Sequence, residues 1–320
     1  MENQNTKSYF SSKPIYGIAF HPDQNATPYQ NSINIAISSM ETSQSNLIEI
    51  ISITNPDTTS EETHFSLLCD QQVKYPITKL EWSLSHPSIL AASSDILRLY
   101  SFANGNQLNE LVALEHTAPL TSLNWNPVNP SLIAVSSNDT TASVYDINLS
   151  KEILNIKGNN KECYDIAYSA DGDSFFTCGG DGAIRMFDMR TNSKSTLIYE
   201  SKNKECIMKL SVNQINDNFL SFTSLDSSEV NIIDRRNPNM IYKKMSYHKD
   251  NVNNCIWGPN TNCFVLSVGD DHCATLWDVQ SEALLSFTAD FEVENCAWGY
   301  VYDNWVGIAG EKCFMILKVE

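Results

Sequence analysis

The 320-residue chain is poor in basic residues, with 21 Lys and Arg against 38 Asp and Glu. The resulting net charge of −17 argues against direct binding to nucleic acid, because such binding neutralises phosphates with Lys and Arg. No apolar stretch approaches the roughly 20 residues that cross a bilayer, and the polar N-terminus has no signal-peptide core. We therefore expect a cytoplasmic and nuclear protein whose partners are other proteins, with no membrane association.

The nine cysteines include no Cys-x-x-Cys pair, and several fall inside predicted strands, which indicates reduced, buried thiols. The sequence also lacks a Gly-x-Ser-x-Gly elbow, a phosphate-binding loop and a His-Glu-x-x-His motif. Its six histidines show no metal-ligand spacing. We expect no enzymatic activity, no cofactor and no bound metal.

A repeat runs through most of the chain instead. Four times an Asp at an expected hairpin tip is followed seven or eight residues later by an Asp that ends a strand. The strand-ending residues are spaced 42, 46 and 44 apart, and the four pairs are Asp139 and Asp146, Asp181 and Asp188, Asp226 and Asp234, and Asp271 and Asp278. This period predicts an all-β fold, a WD-repeat β-propeller with four strands per blade.

Seven inner strands with alternating apolar residues set the number of blades at seven. Each inner strand ends at a large closing residue, and these are Phe20, Trp82, Trp125, Tyr168, Val212, Trp257 and Trp298. Successive closing residues are 62, 43, 43, 44, 45 and 41 residues apart. We predict a single monomeric propeller with blades at about 14–70, 76–115, 119–157, 162–201, 206–247, 251–289 and 292–319. Only two strands follow the last inner strand, so residues 7–10 should complete the last blade as its outer strand.

Blade 1 is longer than the others, with its surplus in residues 23–32 and 55–64, which are rich in Asn, Thr and Pro. We interpret both stretches as exposed loops.

The hairpin tips suggest buried polar networks. In blade 6, His248 precedes the tip residue Asp271, and Trp277 lies in the third strand. We expect Asp271 to accept hydrogen bonds from the His ring and from turn amides, which would stabilise its charge. Asp139 and Asp181 occupy the same position in blades 3 and 4, and we assign all of these residues a structural role.

Several runs go beyond the generic repeat and resemble the WD-repeat scaffold family of the plant regulator transparent testa glabra. The animal members of that family are grouped with cullin-4 ubiquitin-ligase associated factors. The resemblance covers about residues 77–319, and its segments are Ala118–Ser122 with Trp125-Asn126, Ser136–Thr141, Asp181–Arg190, Asp270–His272 with Leu276–Asp278, and Ile316–Val319. It implies a protein scaffold whose partners would be DYRK-type kinases, MYB or helix-loop-helix regulators, and a cullin-4 ligase adaptor.

Two consecutive blades carry an Arg two residues after the strand-ending Asp, in Phe187–Arg190 and Ile233–Arg236. In cullin-4 substrate receptors, tandem motifs of this kind help to engage the propeller adaptor of the ligase. The resemblance therefore implies docking through Asp188, Arg190, Asp234 and Arg236, since a guanidinium fork suits carbonyls and carboxylates. The alternative is that each Arg pairs with its own Asp and braces the blade.

The opposite rim offers a second interaction surface. Its aromatic candidates are Tyr75, Tyr247 and Phe291, and the nearby acidic residues are Glu162, Asp270, Asp290 and Glu292. Aromatic side chains ringed by polar groups are typical of interface centres. Two alternatives to a kinase or transcription scaffold stay open here: a histone-tail-binding chromatin subunit, which the acidic balance would suit, and a propeller hydrolase with a metal in its channel.

Overall fold

Alternation of apolar and polar residues produces strands throughout the computed structural model, which describes residues 6–22, 32–42, 45–54, 56, 64–103, 107–191, 194–281 and 284–319. Successive strands pair antiparallel with their neighbours and form seven four-stranded sheets. The predicted seven-bladed β-propeller is confirmed. The two loops predicted in blade 1 lie outside the described residues except for Ser32, Pro56 and His64.

Blades 1 to 3 occupy the first half of the chain, after an initial strand β1 (Thr6–Phe10). Blade 1 contains β2 (Ile15–Phe20), β3 (Ser32–Ser39), β4 (Asn46–Thr54) and β5 (Phe65–Val73). Blade 2 contains β6 (Lys79–Trp82), β7 (Ile89–Ser93), β8 (Leu97–Ala103) and β9 (Gln107–Leu114). Blade 3 contains β10 (Leu120–Trp125), β11 (Leu132–Ser137), β12 (Thr141–Asp146) and β13 (Lys151–Lys157).

Blades 4 to 7 repeat the same order of strands. Blade 4 contains β14 (Cys163–Tyr168), β15 (Ser174–Gly179), β16 (Ala183–Asp188) and β17 (Ser195–Glu200). Blade 5 contains β18 (Ile207–Val212), β19 (Phe219–Ser224), β20 (Glu229–Asp234) and β21 (Ile241–Ser246). Blade 6 contains β22 (Val252–Trp257), β23 (Phe264–Gly269), β24 (Cys273–Asp278) and β25 (Leu284–Thr288). Blade 7 contains β26 (Asn295–Trp298), β27 (Trp305–Gly310) and β28 (Cys313–Lys318).

The N-terminal strand closes the ring, as the sequence predicts. β1 pairs antiparallel with β28, from Thr6 opposite Leu317 to Phe10 opposite Cys313, and so becomes the outer strand of blade 7. It is also tied to blade 1, because Tyr9 Oη donates to Glu49 Oε1 at 3.0 Å and Ser11 Oγ donates to the other oxygen. We call this arrangement the clasp.

The hydrophobic core lies between blades. Among the described residues, seven clusters of buried apolar side chains each combine two neighbouring blades. The closing aromatic of an inner strand also reaches across the gap: Trp125 Nε1 donates to the Glu81 carbonyl at 3.2 Å, and Trp82 Nε1 to that of Ala19. Burial of such a side chain stabilises the fold by roughly 2–3 kcal/mol, so each blade depends on its neighbours.

Candidate protein-interaction surfaces

The turns of a propeller form two rims. We call "the arginine rim" the one built by the turns between the first and second strands and between the third and fourth strands of each blade. The second rim, "the entry rim", is built by the hairpin tips between second and third strands and by the loops that enter each blade. The two rims differ in how they use their carboxylates.

Arg190 lies on the arginine rim at the end of β16. Its Nε and Nη2 donate to the two oxygens of Asp188 at 3.0 and 2.8 Å, which is a bidentate pair. Its Nη1 donates to Asp173 Oδ2 at 3.0 Å, and Asp173 belongs to the turn that precedes β15. Arg190 therefore joins two turns of blade 4, while 69% of its side chain remains exposed.

Arg236 repeats the arrangement in blade 5. Its Nε and Nη2 donate to Asp234 at 2.9 and 2.6 Å, and its guanidinium carbon lies 5.9 Å from the centre of the Phe219 ring. The Arg236 side chain is 60% exposed, whereas that of Asp234 is buried. The exposed Tyr242 packs on Phe219 at 5.0 Å between ring centroids, so an aromatic group borders this arginine.

The Asp–Arg pairs give these carboxylates a fixed charge. Hydrogen bonds from the Arg190 side chain and backbone lower the pKa of Asp188 to about 2. Those from Arg236 lower the pKa of Asp234 in the same way. In blade 6 the corresponding Asp278 accepts from Gln280 N and from Ser281 without an arginine. The turn therefore needs the Asp, and the Arg in blades 4 and 5 is an addition to it.

The geometry makes bracing and docking compatible. Each arginine braces its own blade through its Asp, and each still presents guanidinium edge and face to solvent. Arg is among the residues that dominate the energy of protein interfaces, with Tyr and Trp. An exposed, already ordered guanidinium loses little conformational entropy when a partner binds it.

On the entry rim the structure places six of the seven predicted residues at or near the surface, and Glu162 and Asp290 are among the exposed ones. Tyr75 and Tyr247 are exposed, with Lys74 Nζ lying 4.9 Å from the centre of the Tyr75 ring. Glu292 is exposed as well. Asp270 is partly buried, and its two oxygens accept from Asn253 Nδ2 at 2.6 Å and Asn251 Nδ2 at 3.2 Å.

Phe291 does not belong to that surface. Its side chain is only 7% exposed and packs in the apolar cluster between blades 6 and 7, with Ala289 and Val293. The residues between these three are exposed, so the period-2 alternation of a strand extends back through the entry loop. The prediction that Phe291 is an exposed anchor is wrong, because alternation turns its ring inward.

The structure contains the polar network that the sequence predicts in blade 6. His248 Nδ1 donates to Asp271 Oδ1 at 2.9 Å, and the backbone N of Lys249 and of Cys273 also donate to this carboxylate. Burial opposes the charge of Asp271, but these hydrogen bonds outweigh it and hold the pKa of Asp271 below its usual value. Trp277 donates its indole N–H to Ser267 rather than to Asp271.

Ser267 connects the two halves of this network. Its Oγ lies 2.8 Å from His248 Nε2 and accepts from Trp277 Nε1 at 2.7 Å. With Nδ1 donating to the carboxylate, Nε2 of a neutral ring accepts the Ser267 hydroxyl proton. The chain of donors runs from Trp277 through Ser267 and His248 to Asp271, and sequence reasoning missed its central member.

Blades 3 and 4 contain variants of the same network. Asp139 accepts from Thr117 and Thr141, and His116 Nε2 lies 3.2 Å from Asp139 Oδ2. The sequence offered a signal for His116, since it precedes Asp139 by the same 23 residues that separate His248 from Asp271. These hydrogen bonds outweigh burial and depress the pKa of Asp139 strongly.

In blade 4 an asparagine takes the place of the histidine. Asn159 Nδ2 donates to Asp181 Oδ1 at 2.7 Å, while Asn159 Oδ1 accepts from Thr177 Oγ1 at 2.8 Å. Arg185 Nη1 donates to the other oxygen of Asp181 at 2.7 Å. An amide can donate and accept like a neutral imidazole, so the network survives the exchange.

Two further properties bear on function. Within the described ranges, no group of three or more His, Cys, Asp or Glu side chains is arranged to hold a metal ion. The same part of the chain has no helix long and apolar enough to cross a membrane.

Comparison with known proteins adds information of a different kind. The family model described as "WD domain, G-beta repeat" matches residues 108–146, 150–188 and 240–278, and each match ends at a strand-ending Asp. The chain is 32% identical over 336 aligned positions to a protein of Dictyostelium discoideum named DDB1- and CUL4-associated factor 7 homolog, with 100% of both chains covered.

Two yeast proteins are also similar. An uncharacterised WD repeat-containing protein of Schizosaccharomyces pombe is 31% identical over 77% of this chain and 64% of its own length. A WD repeat-containing protein of Saccharomyces cerevisiae is 28% identical over 66% of this chain and 49% of its own length.

Proposed function

The chain belongs to the WD-repeat family of DDB1- and CUL4-associated factor 7, and on that premise we propose that it is a non-catalytic scaffold for protein complexes. In this proposal the arginine rim docks on the propeller adaptor of a cullin-4 ubiquitin ligase. The entry rim holds a second partner, of the kinase or transcription-regulator classes, in the cytoplasm and nucleus. Holding two proteins on one rigid body raises their effective concentration without any chemistry of its own.

The observation that carries the docking proposal is the pair of exposed arginines in consecutive blades. Arg190 and Arg236 lie on the same rim, each fixed by a bidentate contact to its own Asp. The equivalent positions of blades 3 and 6 hold Asn148 and Gln280. A partner that contacts both arginines would therefore bind in one orientation, across blades 4 and 5.

Affinity purification of the tagged chain, with quantitative mass spectrometry, tests the docking. We expect the ligase adaptor and cullin to be recovered with wild type and strongly reduced with an Arg190→Ala/Arg236→Ala variant. Arg98→Ala is the control, because Arg98 pairs with Asp95 at a hairpin tip of blade 2, away from the arginine rim. Equal recovery of the ligase with all three proteins would refute docking through these arginines.

The second partner is tested separately on the entry rim. A Tyr75→Ala/Tyr247→Ala variant removes two exposed aromatic side chains of this rim. We expect this variant to lose kinases of the DYRK type, or MYB and helix-loop-helix regulators, while it retains the ligase. Loss of both partner classes together with a lowered melting temperature would instead indicate a folding defect.

A histone-tail reader is the second candidate, and the crowding of acids on the entry rim favours it. Burial, together with the charges of Asp270, Glu292 and Glu311, raises the pKa of Glu294. Such a cluster suits a basic peptide. Binding of basic histone-tail peptides that weakens steeply with added salt, and that is lost in a Glu292→Gln/Glu294→Gln variant, would favour this function over the scaffold.

A further inference from the structure

The inner strands surround a cavity of about 470 Å³ that opens on the arginine rim. This volume falls within the range of about 300–1,000 Å³ that is usual for ligand pockets. Much of its polar wall comes from one position of the inner strands, three residues before the closing residue. That position holds Lys79 in blade 2, Asp165 in blade 4 and Lys209 in blade 5.

Two lysines line this cavity. Lys209 Nζ lies 5.5 Å from the centre of the Tyr16 ring, which comes from blade 1 on the other side of the channel. Burial opposes its charge, but Tyr16 and Asp165 outweigh burial and raise the pKa of Lys209, so the ammonium stays protonated. Lys79 Nζ lies 3.9 Å from Asp165 Oδ1, a long ion pair.

The acidic groups of the cavity are occupied by its own wall. Asp165 Oδ1 accepts from Ser122 Oγ at 2.6 Å and from Ile166 N at 2.9 Å, and Oδ2 accepts from Leu210 N at 2.9 Å. Each lysine ammonium has three donors. With about four acceptor positions on a carboxylate, Asp165 has roughly one left for the two ammonium groups, and Lys209 also hydrogen-bonds the side chain of Tyr16.

Glu81 is occupied in the same way. Both of its oxygens accept from Asn124 Nδ2, at 2.9 and 3.1 Å. Burial raises the pKa of Glu81, although Lys79 and Asn124 favour its charged form. Both acids of the cavity therefore accept hydrogen bonds from its own wall.

The indole of Trp257 is a buried donor without an acceptor in the part of the chain that the structure describes. Trp257 lines the cavity and is 6% exposed, and its indole Nε1 has no hydrogen-bond partner among the described residues. The equivalent indoles of Trp82 and Trp125 donate to the carbonyl of the neighbouring inner strand. A buried donor without an acceptor is costly, and such groups in native proteins call for an explanation.

The mouth of the cavity is apolar. In six blades the turn after the inner strand places an apolar residue there, two or three positions after the closing residue: Leu84, Pro127, Ala170, Ile215, Pro259 and Tyr300. Leu84, Ile215 and Tyr300 are 47%, 60% and 48% exposed. Contiguous exposed apolar side chains mark interaction sites, and a few polar groups inside such a pocket fix the orientation of what binds there.

From this arrangement we propose that the channel mouth receives an acidic side chain carried on an apolar segment of a partner protein. The carboxylate enters between Lys79 and Lys209, which have charged donors to spare, and the flanking apolar side chains cover Leu84, Ile215 and Tyr300. A basic segment does not fit, because the cavity already holds two ammonium groups and its acids accept from the wall. The proposal rests on other residues than ligase docking does, since none of them belongs to the Asp–Arg motifs, but both sites lie on the arginine rim.

Selection from a displayed library of random 12-residue peptides against the folded full chain tests this site. We expect enriched peptides to carry Asp or Glu between aromatic or aliphatic residues. Synthetic copies should bind about tenfold or more weakly to Ile215→Asp and to Lys79→Met, as when a central interface side chain is disrupted. Replacing the peptide's acid by its amide should cost a similar factor.

The matched control is Leu111→Asp. Leu111 is as exposed and as apolar as Ile215 but lies on the outer strand β9, far from the mouth, so its substitution should leave peptide affinity unchanged. Thermal melts verify that each variant is folded, and Ile215→Asp alters only an exposed side chain. A library that yields no acidic consensus, or peptides that bind wild type, Ile215→Asp and Leu111→Asp equally, overturns the proposal.

Discussion

Asp271 and Asp278 lie at opposite ends of one strand of blade 6, and both accept several hydrogen bonds. Asp271 faces the entry rim, where its partners include the fully buried ring of His248. Asp278 faces the arginine rim, where Gln280 and Ser281 cover it only from the exposed turn. The same residue type thus serves a buried network at one rim and a solvent-facing turn at the other.

The difference teaches where function can reside. A buried carboxylate must keep its partners, because removing one leaves a charge without compensation. An exposed pair contributes little to stability, so its arginine is free to acquire a second role. The entry-rim networks consequently stabilise the fold. On the arginine rim the residue two positions after the strand-ending Asp can differ between blades, as Arg190 in blade 4 and Gln280 in blade 6 show.

The clasp provides the largest test of this distinction, since Glu49 is a buried carboxylate whose partners, Tyr9 and Ser11, come from the N-terminal segment. Deleting residues 1–12 removes the outer strand of blade 7 and leaves Glu49 without these donors. We expect a loss of about 4 kcal/mol or more, from a lost strand and an unpaired buried charge. At about 2–3 °C per kcal/mol, the melting temperature should fall by roughly 10 °C.

Deleting only residues 1–5, which lie outside the described residues, is the control and should leave the melt close to wild type. An unchanged melt after deletion of residues 1–12 would show that the clasp does not hold the ring closed.

The second test places the two ends of β24 side by side. Asp271→Ala should destabilise the protein by about 2–4 kcal/mol, because it leaves the donors of His248 and of two backbone amides without an acceptor. Asp278→Ala should cost about 1 kcal/mol or less, since water replaces the lost acceptor. Chemical denaturation of both variants measures the contrast, and equal losses would erase the distinction between the rims.

Much of the fold was predictable because its determinants are local. The repeat of strand-ending Asp residues and the alternation in the inner strands predict the blades, and β10, β14 and β22 end at the predicted closing residues. The inner strand of blade 7 ends at the predicted Trp298 but is short and begins only at Asn295, because the backbone N of Val293 donates to Gly269 of blade 6. Local patterns fix where strands lie but only approximately where they begin.

The networks were only partly predictable because their members come from different segments. Asp271 and His248 follow from the repeat, but Ser267 lies in the second strand and only the register of β23 brings it to His248. Phe291 shows the opposite case, since an alternating pattern through Val293 was available and would have predicted its burial. The lysines of the channel have no sequence motif, since the ring alone brings blades 1, 2 and 5 together.

The third test uses acid to protonate the buried carboxylate of Asp271. The pKa of Asp271 is below its usual value of about 4 in the folded protein. Its contribution to stability is therefore complete above about pH 4 and is lost as pH falls further. The stability gap between wild type and Asp271→Asn, measured by urea denaturation, should narrow between pH 6 and pH 3. A gap that stays constant over this range would show that ionisation of Asp271 does not stabilise the fold.

The smallest effect is expected for the residue on which the proposed docking depends. Arg190→Ala removes a guanidinium that is mostly exposed, and exposed ion pairs contribute about 0–1 kcal/mol. Arg185 in the same blade is the matched comparison, because it pairs with Asp181 at 2.7 Å and is largely buried. Arg185→Ala should lower the melting temperature measurably, whereas Arg190→Ala should leave it within about 3 °C of wild type. If Arg190→Ala proved as destabilising as Arg185→Ala, bracing of the blade would explain why blade 4 has this arginine. A binding defect of Arg190→Ala could then no longer be assigned to a lost contact with the partner.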